Sequence, residues 1–369
     1  MNSTTRYYDI DWLRVLGTIG VFLFHTARFF NEEDWHVKNL ELSFGAEVFV
    51  SILNQFIMPL FFVLSAFAIY YALQKRTNKQ FLSERINRLL IPLVFGIFTI
   101  IIPQVYIERV THLDFAASFL DFILQYFQGW YGFGGNFAWM GLHLWYLLML
   151  FLFSLIMLPV FRAINTINTK PLSDFFTQPF AIYLFFIPIA LVEIFVNQSP
   201  DTIGRRDFGG WSPFTYLMIF LLSYLLMTDS RYRDSIIKLR FFSLTFALIA
   251  LTFGFYLVLA HDVSTYSFTF SIIRGFNTWC WLLAFVGLAG AYLNFNNSFL
   301  KYATEAALPF YILHQTVIVI LGYYIREWDL AVFPKYIFLA GVSFMIIMSL
   351  YELIIKRTNM TRLLFGMKG

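Results

Sequence analysis

The sequence predicts an all-α integral membrane protein of about ten transmembrane helices, with both termini cytoplasmic. Three observations carry that prediction. The chain is 59% hydrophobic and only 13% charged, where a soluble domain typically carries about 25% charged residues. Apolar stretches close to the length of a bilayer crossing recur from one end to the other. The basic residues sort to one side of those stretches.

A membrane helix needs about 20 mostly apolar residues. Ten segments come close: 12–30, 48–73, 89–106, 142–161, 180–196, 211–227, 241–260, 276–292, 307–324 and 331–351. The third, fifth and sixth are short, and Pro92 interrupts the third. Phenylalanine contributes 47 residues, more than a soluble core needs and suited to helices that face lipid. The gap 107–141 is too small for a core of its own, so the expectation is a single polytopic domain over residues 1–369. The first apolar stretch has no small-residue cleavage site after it, and Arg14 and His25 interrupt it. It is therefore expected to be a retained helix and not a cleaved signal peptide. The one cysteine, Cys280, lies in an apolar run, which excludes an internal disulfide and a cysteine metal cluster.

With the N-terminus inside, the inner side receives 18 of the 26 basic residues, among them Arg6, Arg14, Lys75, Arg76, Lys79, Arg85, Arg88 and Lys368. The outer side receives Arg28, Lys38, Arg109, Arg205, Arg206, Arg274, Arg326 and Lys335, and most of the acidic residues, including Glu32, Glu33 and Asp34. The inner side sums to +10 and the outer to −5; Glu193, inside the fifth segment, completes the net +4. This is the positive-inside pattern. It accounts for the mild basicity and gives no reason to expect nucleic acid.

The first segment reads Asp11-Trp12-Leu13-Arg14, then ten residues, then His25. Eleven steps of about 100° make three turns and roughly 20°, so Arg14 and His25 share one helix face, with Thr18 between them. The rise separates them by roughly 16 Å along the axis. Arg14 falls at the cytoplasmic edge and His25 in the outer half of the membrane. Such a face suits a bundle interior or a wet cavity. Taken one at a time, the two residues also fit a snorkelling anchor and an interfacial polar group, and both readings stay open. His314, in Pro309-Phe310-Tyr311-Ile312-Leu313-His314-Gln315, sits near the middle of the ninth segment. It is either a functional group or a partner in an interhelical hydrogen bond, with Gln315 as one partner. His36, His112 and His261 fall in outer loops and read as solvated surface. His143 opens the fourth segment beside Trp145 and Tyr146, residue types that anchor helices at the interface.

Arg85 and Arg88, at i and i+3, stand at the entrance of the third segment on the cytoplasmic side. Two arginines there suit the phosphates of coenzyme A; two more positive-inside residues fit as well. The stretch 129–139, Gly-Trp-Tyr-Gly-Phe-Gly-Gly-Asn-Phe-Ala-Trp, has the flexibility of a lid and the flat amphipathic rings of a wet binding surface. It also fits a loop dipping into the headgroups. No metal-ligand spacing, phosphate loop, dinucleotide fingerprint or G-x-S-x-G elbow occurs.

These residues resemble the acyltransferase 3 family of polytopic enzymes that acylate bacterial surface carbohydrates, and within it a glucan-succinylating branch. The resemblance runs nearly end to end. It includes Asp11 through Arg14, His25-Thr26, Trp35-His36-Val37-Lys38-Asn39 and Met58-Pro59-Leu60-Phe61-Phe62-Val63-Leu64-Ser65. It continues with Arg85 through Pro92, His143-Leu144-Trp145-Tyr146-Leu147 and Glu305 through Gln315. It implies that His25 is the essential catalytic residue, that Arg14 is its motif partner, and that Arg14, Arg85, Arg88 and Ser65 lie on the side of the acyl donor. His143, Trp145, His314 and Glu305 are its substrate-side candidates. One departure stands out: where the family has glycine after the motif serine, Ser65 is followed by Ala66. Alanine disfavours positive φ, which puts a close backbone approach to the donor there in doubt. No esterase-like soluble domain is expected beside the membrane domain.

The resulting expectation is an O-acyltransferase in the bacterial cytoplasmic membrane, working without a metal. It takes an acyl group such as acetyl or succinyl from cytosolic acyl-CoA to a hydroxyl of a carbohydrate or other glycan acceptor at the outer face. His25 serves as general base or as transient acyl carrier. The alternative is a saccharide exporter in which His25 and His314 form a proton relay. Inverted repeats and glycine-broken helices, which would favour a transporter, are not evident.

Overall fold

The computed structural model describes residues 7–113, 115–196 and 209–367. Arg6, Arg205, Arg206 and Lys368 of the charge pattern lie outside the described residues. Among those residues the chain is helical, with a single isolated bridge between Trp130 and Phe137. Six helices are long and apolar enough to cross a membrane: Tyr8–Arg28, Phe44–Lys75, Arg240–His261, Phe268–Tyr292, Ser298–Ile325 and Val332–Arg357. Four more spans are bent pairs: Asn78–Phe98 with Ile102–His112 (42°), Leu142–Ile156 with Leu158–Ile164 (52°), Lys170–Phe176 with Ala181–Val196 (114°), and Pro213–Leu226 with Ser230–Lys238 (105°). The protein is a multi-pass membrane protein, and the three segments that read as short in the sequence all fall in bent pairs. Proline stands in the first turn of Ile102–His112, Leu158–Ile164 and Lys170–Phe176, where its missing N–H costs nothing and its fixed φ starts a helix. In the first two the proline sits at the break and starts the second helix of the pair; in Lys170–Phe176 it starts the helix that ends at the break. In the two pairs bent by more than 90°, the short polar pieces turn aside and do not lengthen the crossing.

The chain divides into two compact units that interleave along the sequence. The first comprises Met1–Gly17, Asn54–Phe81 and Phe153–Lys301. Its centre is the helix Phe268–Tyr292, which buries Trp279, Cys280, Leu282, Leu283 and Ala284. The helices of Ala181–Val196, Ser230–Lys238 and Arg240–His261 pack around it. Glu193, fully buried, is neutralised within this unit. Thr215 donates to its carboxylate, and the Arg274 guanidinium lies 3.8 Å away while covering the Trp211 ring at 3.7 Å. Such pairing is what allows an ionised carboxylate to stand away from water.

Ser65 lies in the middle of the helix Ile57–Lys75, and Ala66 after it is fully buried with helical backbone. Among the described residues the only non-glycine positive φ values are at Leu142, Phe180 and Asp262. Nothing at position 66 requires glycine's conformational freedom, so the departure from the family pattern is accommodated by ordinary helix.

The second unit comprises Thr18–Leu53, Leu82–Leu152 and Tyr302–Gly369. Phe22, Phe310 and Phe344 meet in one aromatic cluster, with ring centroids 5.3 to 6.4 Å apart. Tyr336 donates to Leu23 O at 3.1 Å. These contacts fix the C-terminal half of the first helix against the last two spans. The residues Asn31–Ser43 then fold back: Asn39 N donates to Phe29 O at 2.9 Å and Ser43 N to Phe30 O at 2.8 Å.

The close helix contacts in the first unit depend on a residue without a side chain. A Cβ on Gly287 would stand 2.6 Å from Ile236 O and 2.9 Å from Arg240 Cβ, and backbone cannot step aside. Gly287→Leu is expected to destabilise the protein by about 1–3 kcal/mol, read as a lower midpoint of thermal unfolding in detergent. Gly341→Leu, where nothing lies within 4 Å, should leave the midpoint unchanged.

Candidate active site

His25 occupies the last turn and a half of the helix Tyr8–Arg28 and is half-buried. That helix is unbroken, so the three-turn spacing from Arg14 to His25 holds. Arg14 itself pairs with Asp11 at 3.0 Å. The partner of His25 comes from far away in the chain: His314 Nε2 lies 3.0 Å from His25 Nδ1.

Carbonyl oxygens assign the tautomers, because they can only accept. His314 Nδ1 faces Tyr311 O, so Nδ1 carries the hydrogen and Nε2 the lone pair. His25 Nδ1 faces Val21 O at 3.0 Å, so it too carries a hydrogen, shared between Val21 O and His314 Nε2. The remaining nitrogen of His25, Nε2, therefore bears a lone pair, and it makes no hydrogen bond among the described residues. A histidine held by Nδ1 with an open, basic Nε2 is the arrangement of a general base or nucleophile.

His143 closes the other side of His314, the two rings meeting edge-on at 5.1 Å. It is buried, and two consecutive left-handed residues, Gly141 (φ 80) and Leu142 (φ 46), turn the chain to deliver it. Its Nε2 donates to Ile312 O at 3.1 Å, its carbonyl accepts from Tyr311 Oη, and its Nδ1 is 3.4 Å from Gln104 Nε2. Positive φ at a leucine is a strained choice, retained here at the residue next to the imidazole.

His36 was expected to be solvated surface; the structure overturns this. It is buried, its Nδ1 hydrogen-bonds Glu108, and Gln315 Nε2 donates to its Nε2 at 3.0 Å. Sequence reading missed it because the fold-back of residues 31–43 is what brings it inward. Nor does Gln315 pair with His314. It turns to His36 and to Gln104 Oε1 at 2.9 Å, while Gln104 also reaches Thr316. Gln104 and Glu108, one turn apart on Ile102–His112, gave no signal beyond being polar residues near an apolar stretch.

Glu108 is a junction. It accepts from His36, from Tyr131 Oη at 2.8 Å and from Arg109 at 3.0 Å. Arg109 in turn donates to Asn136 Oδ1 at 2.8 Å and Gly135 O at 2.9 Å, which pins the glycine-rich loop 129–139. Burial and the adjacent Glu108 carboxylate push the Tyr131 hydroxyl above its ordinary pKa, so it stays protonated and donates. In that loop Trp130 and Phe133 are 61% and 81% exposed, available to a ligand. Trp35 lies nearly parallel to the His25 ring, at 27° and 6.4 Å between centroids.

The other sequence candidates lie elsewhere. Arg85 ends the helix Asn78–Arg85, and Arg88 falls in the π-helical turn Ile86–Leu90, where Ile91 N donates to Ile86 O. That wider turn rotates Arg88 away from the face an α-helix would share with Arg85, and such turns often mark functional sites. Arg85 is half-buried and Arg88 exposed. Trp145 begins the helix Trp145–Ile156, two residues from His143, with its ring against Tyr146. Glu305 pairs with Arg362 at 3.2 Å and is not among the groups around His25. Ser65 belongs to the first unit. Among the described residues no cluster of three or more His, Cys, Asp or Glu side chains is arranged to hold a metal ion.

The fold and this site define a multi-pass helical membrane protein built around an intramembrane histidine pair. Comparison with known proteins gives the class its name: residues 7–352 match the acyltransferase domain of the acyltransferase 3 family, and the chain belongs to that family. It is a membrane acyltransferase. It is 25% identical over 351 residues to glucans biosynthesis protein C of Escherichia coli O1:K1, covering 87% of this chain and 84% of the relative. The same protein of strain K12 is 24% identical over 240 residues, 60% of this chain and 56% of the relative. No solved structure matches.

Lys38 provides a solution test of the fold-back. Its Nζ donates to Arg28 O at 2.6 Å, Asn31 Oδ1 at 3.0 Å and Glu33 O at 2.9 Å. Burial and the Arg28 guanidinium nonetheless lower its pKa to about 8, against the pull of Asp34, Glu47 and Glu33. A lysine depressed on folding binds fewer protons than the unfolded chain between about pH 8 and its ordinary 10.5, so in that window its contribution to stability rises with pH. Labelling of Lys38 by an amine-directed acylating reagent, followed by peptide mass spectrometry, should break near pH 8; a break near pH 10 would contradict the burial.

Proposed function

We propose that the protein transfers an acyl group from cytosolic acyl-CoA to a hydroxyl of a glycan at the outer face of the bacterial cytoplasmic membrane, as one polytopic domain with both termini inside. The observation that carries the reading is the tautomer of His25. Its Nδ1 is held by Val21 O and His314 Nε2, which leaves Nε2 as the base.

In the reaction His25 Nε2 takes the proton of the acceptor hydroxyl as the oxygen attacks the thioester carbonyl. The C–S bond breaks, and the proton returns from His25 to the departing thiolate. A new ester and a free thiol result. When His25 becomes imidazolium, its Nδ1–H strengthens toward His314 Nε2, a neutral acceptor already in place, so little reorganisation is needed. Arg85 and Arg88 grip the donor phosphates from the cytoplasmic side, Arg88 being the more exposed of the two. The acceptor enters beside Trp35 and the loop 129–139. Support for a glycan comes from the family and from relatives named for glucan biosynthesis.

The exporter reading requires a proton path onward from His314. Its second nitrogen ends on the backbone carbonyl of Tyr311, which cannot pass a proton on. The geometry favours the acyltransferase.

Replacing His25 by alanine should lower transfer by about 10²–10⁴-fold while the protein still inserts and still binds coenzyme A. Arg85→Gln with Arg88→Gln should raise the donor dissociation constant more than tenfold at about 1.5–3 kcal/mol per charged hydrogen bond, with acceptor binding unchanged. Oriented vesicles test the topology: acyl-CoA on the side of the termini and a glucan oligosaccharide on the other should give acylated glucan. Product only with both on the terminal side would overturn transfer across the membrane.

A further inference from the structure

Two outer segments of the second unit come to the same carboxylate. From the fold-back after the first helix, His36 hydrogen-bonds Glu108; from the loop 129–139, Tyr131 does so, and Arg109 pins Gly135 and Asn136. Each segment carries an indole next to its anchor. Trp35 precedes His36, and Trp130 precedes Tyr131 and meets Trp139 at 5.8 Å. Gly135 admits this docking, since a Cβ there would stand 2.1 Å from the Gly129 carbonyl carbon.

The fold-back is tied down at more points than a connecting loop needs. Thr111 Oγ1 donates to His36 O at 3.0 Å, Lys335 Nζ to Asn39 Oδ1 at 2.7 Å, and Asn31 Nδ2 to Glu47 at 2.9 Å. The result is that Trp35, half-buried, is held nearly parallel to the His25 ring, 6.4 Å between centroids. A fixed aromatic face beside a base is the chemistry that seats a pyranose: the apolar C–H face packs on the ring and the hydroxyls point outward from its edge. The rim is hydrophilic and negative. Glu32, Glu33 and Asp34 are exposed around it, and the Arg28 guanidinium is engaged by Glu33 and by Asp34 O. An anionic sugar meets like charge there.

We propose that Trp35 is the platform on which a neutral glycan acceptor stacks beside His25, and that Glu108 is the positioning residue that holds this platform and the aromatic loop 129–139 in one arrangement. The proposal deepens the acyltransferase reading and rests on it for the role of His25. Glycan binding, however, is measurable without any transfer.

The experiment uses full-length protein in nanodiscs and titrates a glucose hexasaccharide by calorimetry without donor, alongside steady-state transfer with acyl-CoA. Trp35→Ala should weaken hexasaccharide binding and raise its KM about tenfold, with coenzyme A binding unchanged. Trp35→Phe should restore most of the loss, since it keeps an aromatic face. Glu108→Gln should raise the KM for the hexasaccharide more than it lowers kcat for glycerol, a small acceptor that needs no platform. A hexamer of galacturonate should bind at least tenfold more weakly than the glucose hexamer, and Asp34→Asn with Glu33→Gln should narrow that gap. The proposal is overturned if the wild type does not bind the hexasaccharide, if Trp35→Ala binds it as the wild type does, or if Trp35→Ala affects glycerol and hexasaccharide equally. Normal glycan binding with no transfer to any hydroxyl would instead sink the acyltransferase reading and leave the platform standing.

Discussion

The contact between His25 and His314 is the constraint around which the second unit is organised. Two imidazoles away from bulk water must each satisfy two nitrogens, and the unit provides partners for three of the four. Tyr311 O fixes one ring, Val21 O the other, and the shared hydrogen between them ties the first helix to the ninth span. That is also why the site has a direction. With Nδ1 of His25 committed inward, only Nε2 is left to act on something that enters. Removing either carbonyl contact would let the rings flip, and the His25 imidazole would lose its fixed orientation.

Around this pair, polar side chains form a second tier that never touches His25. Gln104, Gln315, Thr316 and His36 pass hydrogen bonds among themselves and end at Glu108. A buried carboxylate is costly to keep ionised unless it is paired and hydrogen-bonded. Glu108 meets that condition with Arg109, Tyr131 and His36 together. The arrangement turns the cost into order: because the carboxylate needs these partners, the fold-back and the loop 129–139 cannot drift independently. The fixed placement of these two segments thus follows from the energetics of one charge in a low-dielectric setting.

The helix breaks serve the same end. An uninterrupted span would present side chains at 3.6-residue spacing only. The bend before Ile102–His112 turns Gln104 and Glu108 inward, the left-handed pair Gly141-Leu142 delivers His143, and the π turn at Ile86–Leu90 re-aims Arg88. Each irregularity lies within a few residues of a group to which the chemistry is assigned. In the first unit the long helix Phe268–Tyr292 is regular, closely packed and mostly apolar, with its Arg274 facing Glu193, and the sharp breaks within 170–196 and 213–238 lie away from those groups.

Membrane class, the approximate position of the spans and the shared face of Arg14 and His25 were legible in the sequence by itself, because each is a local property. Hydropathy sums over about 20 neighbours, and helix phase is set by a few turns. The same local reading placed the family motifs at the right helices. It could not assign His36, which looks like any loop histidine until residues 31–43 fold back. It paired His25 with His314, 289 residues apart, only as a relay in the exporter alternative, and it could not join His36 to Glu108, 72 apart. Gln104 carried no pattern at all, and Tyr131 was visible only as one ring of the loop 129–139. Periodicity records which way a side chain faces on its own helix and says nothing about what another helix brings opposite. Those partners were decided only by tertiary packing, where a buried polar group is matched by whatever part of the chain the fold delivers opposite it.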